Sequence, residues 1–286
     1  MEPDIIINIR RTLLFTPGLR IDRFAKAVNS DPDMVCLDLE DGVAPTFKDE
    51  ARLKAIPALA DSPANDRTAI RINSIKSQDG MRDLLELCDF GVAPASILLP
   101  KVDSPEEVKW VAEILSQAGF NKTRLMVIIE TVKGLHAAPE IALASKFVDT
   151  LLFGGADLSA EMGASLDWEA MLYARGKVVH AAATAQLGVI DVPHLDINDL
   201  TGLKKEAELA QRMGFTGKAA IHPIQVPLIN DIFSPTKEMI TYAKRVIEAY
   251  ENSSHGVTLL DGKVVEIPVV RAMRRALLID EKIKSN

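Results

Sequence analysis

The chain has 286 residues, 48% of them apolar, with 33 basic against 40 acidic side chains and a net charge of −7. That composition supports a sizeable buried core and excludes a disordered chain, and its acidic balance speaks against a surface that tracks nucleic acid or anionic lipid. Cys36 and Cys88 form neither a disulfide framework nor a metal-binding spacing; no stretch approaches the ~20 apolar residues of a membrane span, and Met1 to Arg11 reads as neither signal nor transit peptide, so the expected location is the cytoplasm.

Eight short apolar runs rich in β-branched residues follow one another: Thr12–Phe15, Met34–Leu39, Thr68–Ile72, Ser96–Leu99, Leu125–Ile129, Thr150–Phe153, Val189–Val192 and Lys218–Ile221. They start roughly 22 to 39 residues apart, enough for strand, helix and loops in each parallel unit. Their hydrophobicity is continuous rather than alternating, as in strands buried on both faces. Helical patterns fall between them at Arg20–Ser30, Lys48–Leu59, Met81–Cys88, Pro105–Gly119, Pro139–Ser145, Trp168–Leu187 and Leu200–Met213. Asp103-Ser104-Pro105-Glu106 sets a cap residue before proline at one helix start. Eight βα units predict a TIM (β/α)8 barrel, with a doubly wound open sheet as the structural rival.

After the eighth run the pattern changes. Ser234-Pro235 opens a helix reaching about Glu251, the runs Val257–Leu260 and Val264–Ile267 flank Asp261-Gly262 as a hairpin, and a basic helix runs from Pro268 to about Lys284. The expected organisation is a catalytic barrel over residues 1–233 and a helix–hairpin–helix extension over 234–286, the latter serving as lid or subunit contact.

In a TIM barrel the chemistry sits at the carboxyl ends of the strands. The runs end in Thr16-Pro17-Gly18, Glu40-Asp41-Gly42, Arg71 with Asn73, Pro100-Lys101, Glu130, Gly154-Gly155-Ala156-Asp157 and His222-Pro223; the seventh, near Pro193-His194, is uninformative. Four carboxylates, two cations and an imidazole therefore converge on one rim, an expensive gathering unless a ligand or metal is present.

Glu130 and Asp157 end adjacent strands, whose axes lie about 4.8 Å apart. Two oxygen ligands from neighbouring strands suit Mg2+, with Mn2+ as its stand-in, the remaining positions being filled by water and substrate oxygens. No Cys or His accompanies them, which disfavours zinc. Glu40 and Asp41 either support the waters of the metal or pair with Arg71 and Lys101. Arg71 offers a fork for a carboxylate or oxyanion, and Gly154, Gly155 and Ala156 leave backbone amides open to a substrate carboxylate. Lys101 raises the alternative of a Schiff-base aldolase. There is no Gly-x-Ser-x-Gly elbow or Walker loop, and His136, His180 and His255 stand alone.

These residues resemble the citrate lyase β-subunit-like family of the wider HpcH/HpaI aldolase superfamily. The resemblance runs through Arg11-Thr12-Leu13-Leu14-Phe15-Thr16-Pro17-Gly18, Leu37-Asp38-Leu39-Glu40-Asp41-Gly42-Val43, Ile70-Arg71-Ile72-Asn73 and Leu99-Pro100-Lys101-Val102. It continues through Ile129-Glu130-Thr131, Phe153-Gly154-Gly155-Ala156-Asp157-Leu158 and Gly217-Lys218-Ala219-Ala220-Ile221-His222-Pro223, and closes with Asp261-Gly262-Lys263 to Pro268. It implies a TIM barrel that binds Mg2+ through Glu130 and Asp157, with Arg71 on the substrate oxygens. It further implies Arg23 and Lys26 near the phosphates of coenzyme A and His222-Pro223 beside the pantetheine arm. Members are lyases of citramalyl-, malyl- or methylmalyl-CoA, citryl-ACP lyase subunits or malyl-CoA thioesterases, many of them trimers or hexamers in which the tail covers a neighbour's site.

One position departs from the family. Where members carry a catalytic Asp in an Ile-Asp-x-Pro segment, this chain has Glu266, which keeps the carboxylate and extends its reach by about 1.5 Å, one carbon–carbon bond. Arg20, in the first loop, replaces a smaller polar residue. The resemblance thus implies a lyase that splits a 3-hydroxyacyl-CoA thioester into an acyl-CoA and a 2-oxo acid through a thioester enolate. The rival readings are a malyl-CoA thioesterase, a metal-dependent aldolase joining pyruvate to an aldehyde, a citryl-ACP lyase subunit, and a non-catalytic ligand-binding subunit of a larger complex.

Overall fold

The computed structural model describes residues 9–62, 64–253 and 256–285, without the side chain of Asn65. Residues 1–8, read above for targeting signals, and His255 lie outside the described residues. Two compact units are present, one formed by Arg10–Asn230 and the other beginning at Asp231.

In the first unit eight strands close into a parallel barrel: β1 (Thr12–Pro17), β2 (Met34–Asp38), β3 (Thr68–Arg71), β4 (Ser96–Leu99), β5 (Arg124–Ile129), β6 (Val148–Phe153), β7 (Gly188–Asp191) and β8 (Gly217–Ala220). Each pairs with its neighbours in chain order, and β8 returns to β1 through Thr12 beside Lys218 and Leu13 beside Ala219. This is the TIM barrel expected from the eight apolar runs, and its closure rules out the open sheet.

Strand periodicity explains both the core and the site. Leu13, Met34, Cys36, Ala69, Leu98, Met126, Ile128, Leu152, Ile190 and Ala219 form one buried cluster inside the barrel. Residues between them, such as Leu14, Val35, Leu37, Ile70 and Ile97, are equally buried but point outward, as strict side-chain alternation requires. Each such Leu or Ile contributes about 1.5–3 kcal/mol by leaving water. Carrying the inward phase one or two steps further brings Asp38 and Glu40 (after Met34 and Cys36), Arg71 (after Ala69), Glu130 (after Ile128) and Gly154 (after Leu152) to the carboxyl mouth. The opposite end is closed by Arg10, whose Nη1 donates to Asp149 and Thr150 at 2.5 Å and whose Nη2 donates to Ser96 at 3.1 Å.

The outer layer comprises α1 (Ile21–Val28), α2 (Lys48–Ala60), α3 (Gln78–Phe90), α4 (Pro105–Gln117), α5 (Val132–His136), α6 (Ala138–Ala142), α7 (Gly155–Met162), α8 (Leu172–Thr184), α9 (Leu200–Met213) and α10 (Val226–Ile232). Side-chain caps start several of them. Ser77 accepts from Gly80 N at the head of α3, Thr131 from Gly134 N at α5, and Asp199 from Gly202 N at α9.

Three helical segments differ from expectation. The helix foreseen at Pro139–Ser145 is α6, which ends already at Ala142 and carries Pro139 in its first turn, where the missing N–H costs nothing; the short α5 before it was not foreseen. The helix foreseen from Trp168 begins at Leu172; before it Asp167 accepts from Ser165 and from Ala170 N, turning the chain locally. Gly155–Met162, of which only Gly155–Asp157 was read and that as the end of the sixth strand, is a helix of eight residues between Gly154 and Gly163. Its brevity and flanking glycines hide it from a periodicity search.

The second unit holds α11 (Lys237–Glu251), a hairpin of β9 (Thr258–Leu260) and β10 (Lys263–Val265), and α12 (Ile267–Ser285). Val246, Val265 and Val270 form its core, with Tyr242, Tyr250 and Leu260 packed around them. The outer hairpin face carries the cross-strand pair Leu259 and Val264, 68% and 57% exposed. Among the described residues, no helix is long and apolar enough to cross a membrane.

Candidate active site

The mouth of the barrel is organised around Arg71 at the end of β3. Its Nε and Nη2 donate to the two carboxylate oxygens of Asp38, both at 2.7 Å. Nη1 stands 3.1 Å from Glu40 Oε2 and 3.7 Å from Asp41, and the guanidinium lies over the ring of Phe15. The expected pairing of Arg71 with Glu40 and Asp41 is present through Nη1, whereas the fork itself is not open to substrate as expected. Asp38 takes the fork, and only Nη1 faces the remaining acids. Asp38 is in turn fully used, accepting also from Glu40 N at 2.9 Å and Gly42 N at 2.8 Å. One carboxylate thus fixes both the arginine and the turn that carries Glu40 and Asp41, and Lys48 Nζ closes that turn on the carbonyls of Leu39 and Glu40.

Lys101, after β4, joins the same group. Its ammonium is paired with Glu40 and lies 3.5 Å from Asp41, while its backbone N–H donates to Glu130 Oε1 at 2.7 Å. It does so with φ 55, the left-handed region that a side chain other than glycine rarely occupies. Glu130, 3% exposed, is followed by Thr131, whose hydroxyl donates to Asp103 at 2.7 Å while capping α5. The chain on both sides of this glutamate is therefore fixed.

Gly154 is required by Glu130. A Cβ there would stand 2.3 Å from the Glu130 Cβ and 2.6 Å from its Oε2, so any larger residue would evict the carboxylate. Asp157 is placed by α7, in its first turn, rather than at the end of β6 as expected. Helical geometry brings it back toward the mouth, where its charge acts on both Glu130 and Lys101.

Charge is unbalanced here: among the described residues, Asp38, Glu40, Asp41, Glu130 and Asp157 face the two cations Arg71 and Lys101. Burial, then Glu40 and Asp157, push the Glu130 carboxyl up to about 8. Burial also raises Glu40, against the pull of Arg71 and Lys101. At Asp41 burial is outweighed by those two cations and the group is lowered. The Lys101 ammonium is raised, the carboxylates of Glu40 and Asp41 overcoming its burial. Among the described residues no three His, Cys, Asp or Glu side chains are grouped to hold a metal by themselves. Two buried or half-buried acids whose mutual repulsion favours a proton on one of them nevertheless fit a hard divalent cation that completes its shell with water and substrate oxygens.

The other expected residues lie apart from this cluster, all but Glu266 in the first unit. Arg23 and Lys26 are exposed on α1, and Arg20 is paired with Asp22. Ala156 is exposed at the head of α7 while Gly155 is buried. His222 is exposed after β8, its Nδ1 accepting from Ile224 N, and Pro223 begins the following turn. Glu266 belongs to the second unit, exposed, its carbonyl accepting from Val269 N and Val270 N at the start of α12. Asp38 is the residue that motif reading missed, although its phase with Met34 and Cys36 is visible in the sequence.

A closed parallel barrel with paired acids, an arginine and a lysine at its carboxyl mouth defines an aldolase-type enzyme. The chain belongs to the HpcH/HpaI aldolase/citrate lyase family, whose model matches residues 11–223, and it is a carbon–carbon lyase. It is 32% identical to the mitochondrial citramalyl-CoA lyase of Homo sapiens, over 96% of this chain and 86% of that protein. It is also 32% identical to the citrate lyase subunit beta of Haemophilus influenzae, over 98% of both chains. Among solved structures it resembles protein CitE of Mycobacterium tuberculosis in complex with magnesium, acetoacetate and coenzyme A, with a TM-score of 0.79 and 33% identity over 94% of this chain and 97% of that one.

Proposed function

We propose that this protein is a Mg2+-dependent lyase that cleaves a 3-hydroxyacyl-CoA thioester of the citramalyl-, malyl- or methylmalyl-CoA type into an acyl-CoA and a 2-oxo acid. The observation that carries the reading is the one-sided cluster of Glu130, Asp157 and Glu40 beside Arg71 and Lys101. The likeness to citramalyl-CoA lyase and to a CitE structure with magnesium and coenzyme A supports the substrate class.

Glu130 and Asp157 would hold the ion, with Mn2+ as its substitute. When bound, it supplies positive charge to the hydroxyl and carboxylate oxygens of the substrate. The hydroxyl proton of the carbinol passes to water at the mouth as the bond between the carbinol carbon and the carbon next to the thioester breaks, its electron pair passing to the thioester as an enolate while the carbinol becomes the keto group of the 2-oxo acid. Arg71, clamped by Asp38, presents Nη1 as a preorganised positive charge for that enolate. Glu40 and Asp41, tied to Lys101, support the waters at the mouth. The amides of Gly155 and Ala156, at the head of α7, meet the carboxylate of the 2-oxo acid; that of Gly154, expected to join them, is taken by the carbonyl of Ile129 at 3.0 Å. Glu266, in its acid form, delivers the proton that the enolate carbon needs, and condensation is the reverse.

Arg23 and Lys26, exposed on α1, are assigned to the phosphates of coenzyme A, and the His222-Pro223 segment to its pantetheine arm. Residues 1–233 form the catalytic part and 234–286 a lid or assembly extension. The exposed pair Leu259 and Val264 supports a contact with another chain, in an assembly assigned as a trimer or hexamer, and the acidic net charge accords with a cytoplasmic location. The test is product analysis of the purified protein with malyl-, citramalyl- and methylmalyl-CoA. Release of acyl-CoA and 2-oxo acid from one of them is expected; free coenzyme A with an intact acid skeleton would replace the reading with a thioesterase.

A further inference from the structure

Behind β6, β7 and β8 lies a second set of charges that the reaction does not use directly. Arg175 of α8, 2% exposed at its side chain, donates from Nε to Asp191 Oδ1 at 2.9 Å. The other oxygen of Asp191 accepts from the fully buried Lys218 at 2.7 Å, and Lys218 also reaches Val192 O at 2.7 Å and Glu206 at 3.3 Å. The guanidinium of Arg175 is held between two rings, 5.0 Å from the centre of Phe153 and 4.5 Å from that of Trp168. Its Nη1 is buried with no hydrogen-bond partner among the described residues. Burying an arginine in this way is expensive unless its position matters.

Phe153 shows what that position governs. Its Cε1 stands 2.7 Å from where a Cβ on Gly155 would lie, and Leu166 Cδ1 stands 3.0 Å from the same point. The ring therefore packs directly on the backbone of Gly155, the first residue of α7, two residues before Asp157. A stacked cation on one face of Phe153 fixes the ring, the ring fixes Gly155, and Gly155 sets the direction in which the first turn of α7 presents its aspartate.

We propose that Arg175 is a positioning residue for the metal-binding acid Asp157, acting through the stacked rings of Phe153 and Trp168 on the β6–α7 turn. The inference rests on the reading of Glu130 and Asp157 as metal ligands. Outer partners that orient metal-binding side chains typically account for about 10–100-fold in metal affinity. Arg175→Met removes the cation while leaving Asp191 paired with Lys218, so no buried carboxylate is orphaned.

The experiment is calorimetric titration of the full-length protein with MgCl2, without substrate, for the wild type, Asp157→Ala, Arg175→Met and Trp168→Leu, with the melting temperature of each. Leu115→Ala, which opens a cavity under α4 away from these contacts, controls for general loss of stability. The expected result is a Mg2+ dissociation constant raised about 10–100-fold in Arg175→Met, raised in the same direction in Trp168→Leu, and unchanged in Leu115→Ala. In turnover assays kcat recovers at saturating Mg2+. Unchanged Mg2+ binding in Arg175→Met, or in Trp168→Leu should Arg175→Met not fold, overturns the positioning role. Mg2+ binding that survives Asp157→Ala overturns instead the metal reading on which it rests.

Discussion

The backbone N–H of Lys101 donates to Glu130 Oε1 at 2.7 Å from a residue in the left-handed region. One residue thus meets two acids, its amide holding Glu130 and its ammonium pairing with Glu40. The ammonium is held charged by Glu40 and Asp41, whereas imine formation needs a neutral amine. Borohydride added during turnover is therefore expected to leave Lys101 unmodified, as read by intact-mass and peptide mass spectrometry. Substrate-dependent reduction onto Lys101 would establish the Schiff-base route instead.

Protonation governs the cation site. Without metal the Glu130 carboxyl holds its proton up to about pH 8, so below that pH Mg2+ must displace it and above that pH need not. The apparent Mg2+ affinity should fall about tenfold for each pH unit below 8, with close to one proton released per ion bound. The linked stability runs the other way. Because the folded, metal-free protein binds this proton more tightly than the unfolded chain, its stability falls as pH rises from the ordinary glutamate range toward 8. Titration calorimetry in buffers of different ionisation enthalpy reads the proton release. A Mg2+ affinity independent of pH between 6 and 8 would contradict the assignment of Glu130.

Two acids assigned to the reaction should separate cleanly. Asp157→Ala should lose Mg2+ binding and at least about a thousandfold in turnover, some 4 kcal/mol of barrier. Glu266→Ala should keep its Mg2+ affinity while slowing exchange of the α-protons of the acyl-CoA product into deuterated water. Equal exchange in Glu266→Ala and wild type removes Glu266 from the mechanism.

Asp83 of α3 supports the site from behind. Its Oδ2 accepts from Asn73 N and Nδ2 at 2.8 and 2.7 Å, and its Oδ1 accepts from Arg52 Nε at 2.7 Å. Asn73 follows Arg71 by two residues, so the segment after β3 depends on this aspartate. Asp83→Ala leaves Arg52, buried at 5% exposure, without its inner partner, and should cost about 3–5 kcal/mol in denaturant unfolding. A cost below about 1 kcal/mol would show that Asp49 and Asp79 suffice for Arg52.

The barrel was legible because burial on both faces leaves a local mark: runs such as Met34-Val35-Cys36-Leu37 are apolar at every position, as strands covered on both sides must be. Glu130 and Arg71 were legible because each stands where such a run stops. Asp38 was not, since an acid enclosed by Leu37 and Leu39 reads as part of the run, and only the inward phase of Met34 and Cys36 marks it. Asp157 was found as an acid but placed at the end of the sixth strand, because a helix of eight residues between glycines shows too few turns to declare a period. The ties of Arg175 to Phe153, Trp168 and Asp191 leave no trace in local pattern, because the partners meet only once the barrel has closed.

The central claim is that a divalent ion on Glu130 and Asp157 is indispensable to carbon–carbon cleavage. The direct measurement is turnover of citramalyl-CoA, malyl-CoA and methylmalyl-CoA by protein stripped with EDTA and then resupplied with Mg2+. The account predicts loss of 2-oxo acid formation on stripping and its return with Mg2+; undiminished cleavage by the metal-free protein would contradict it.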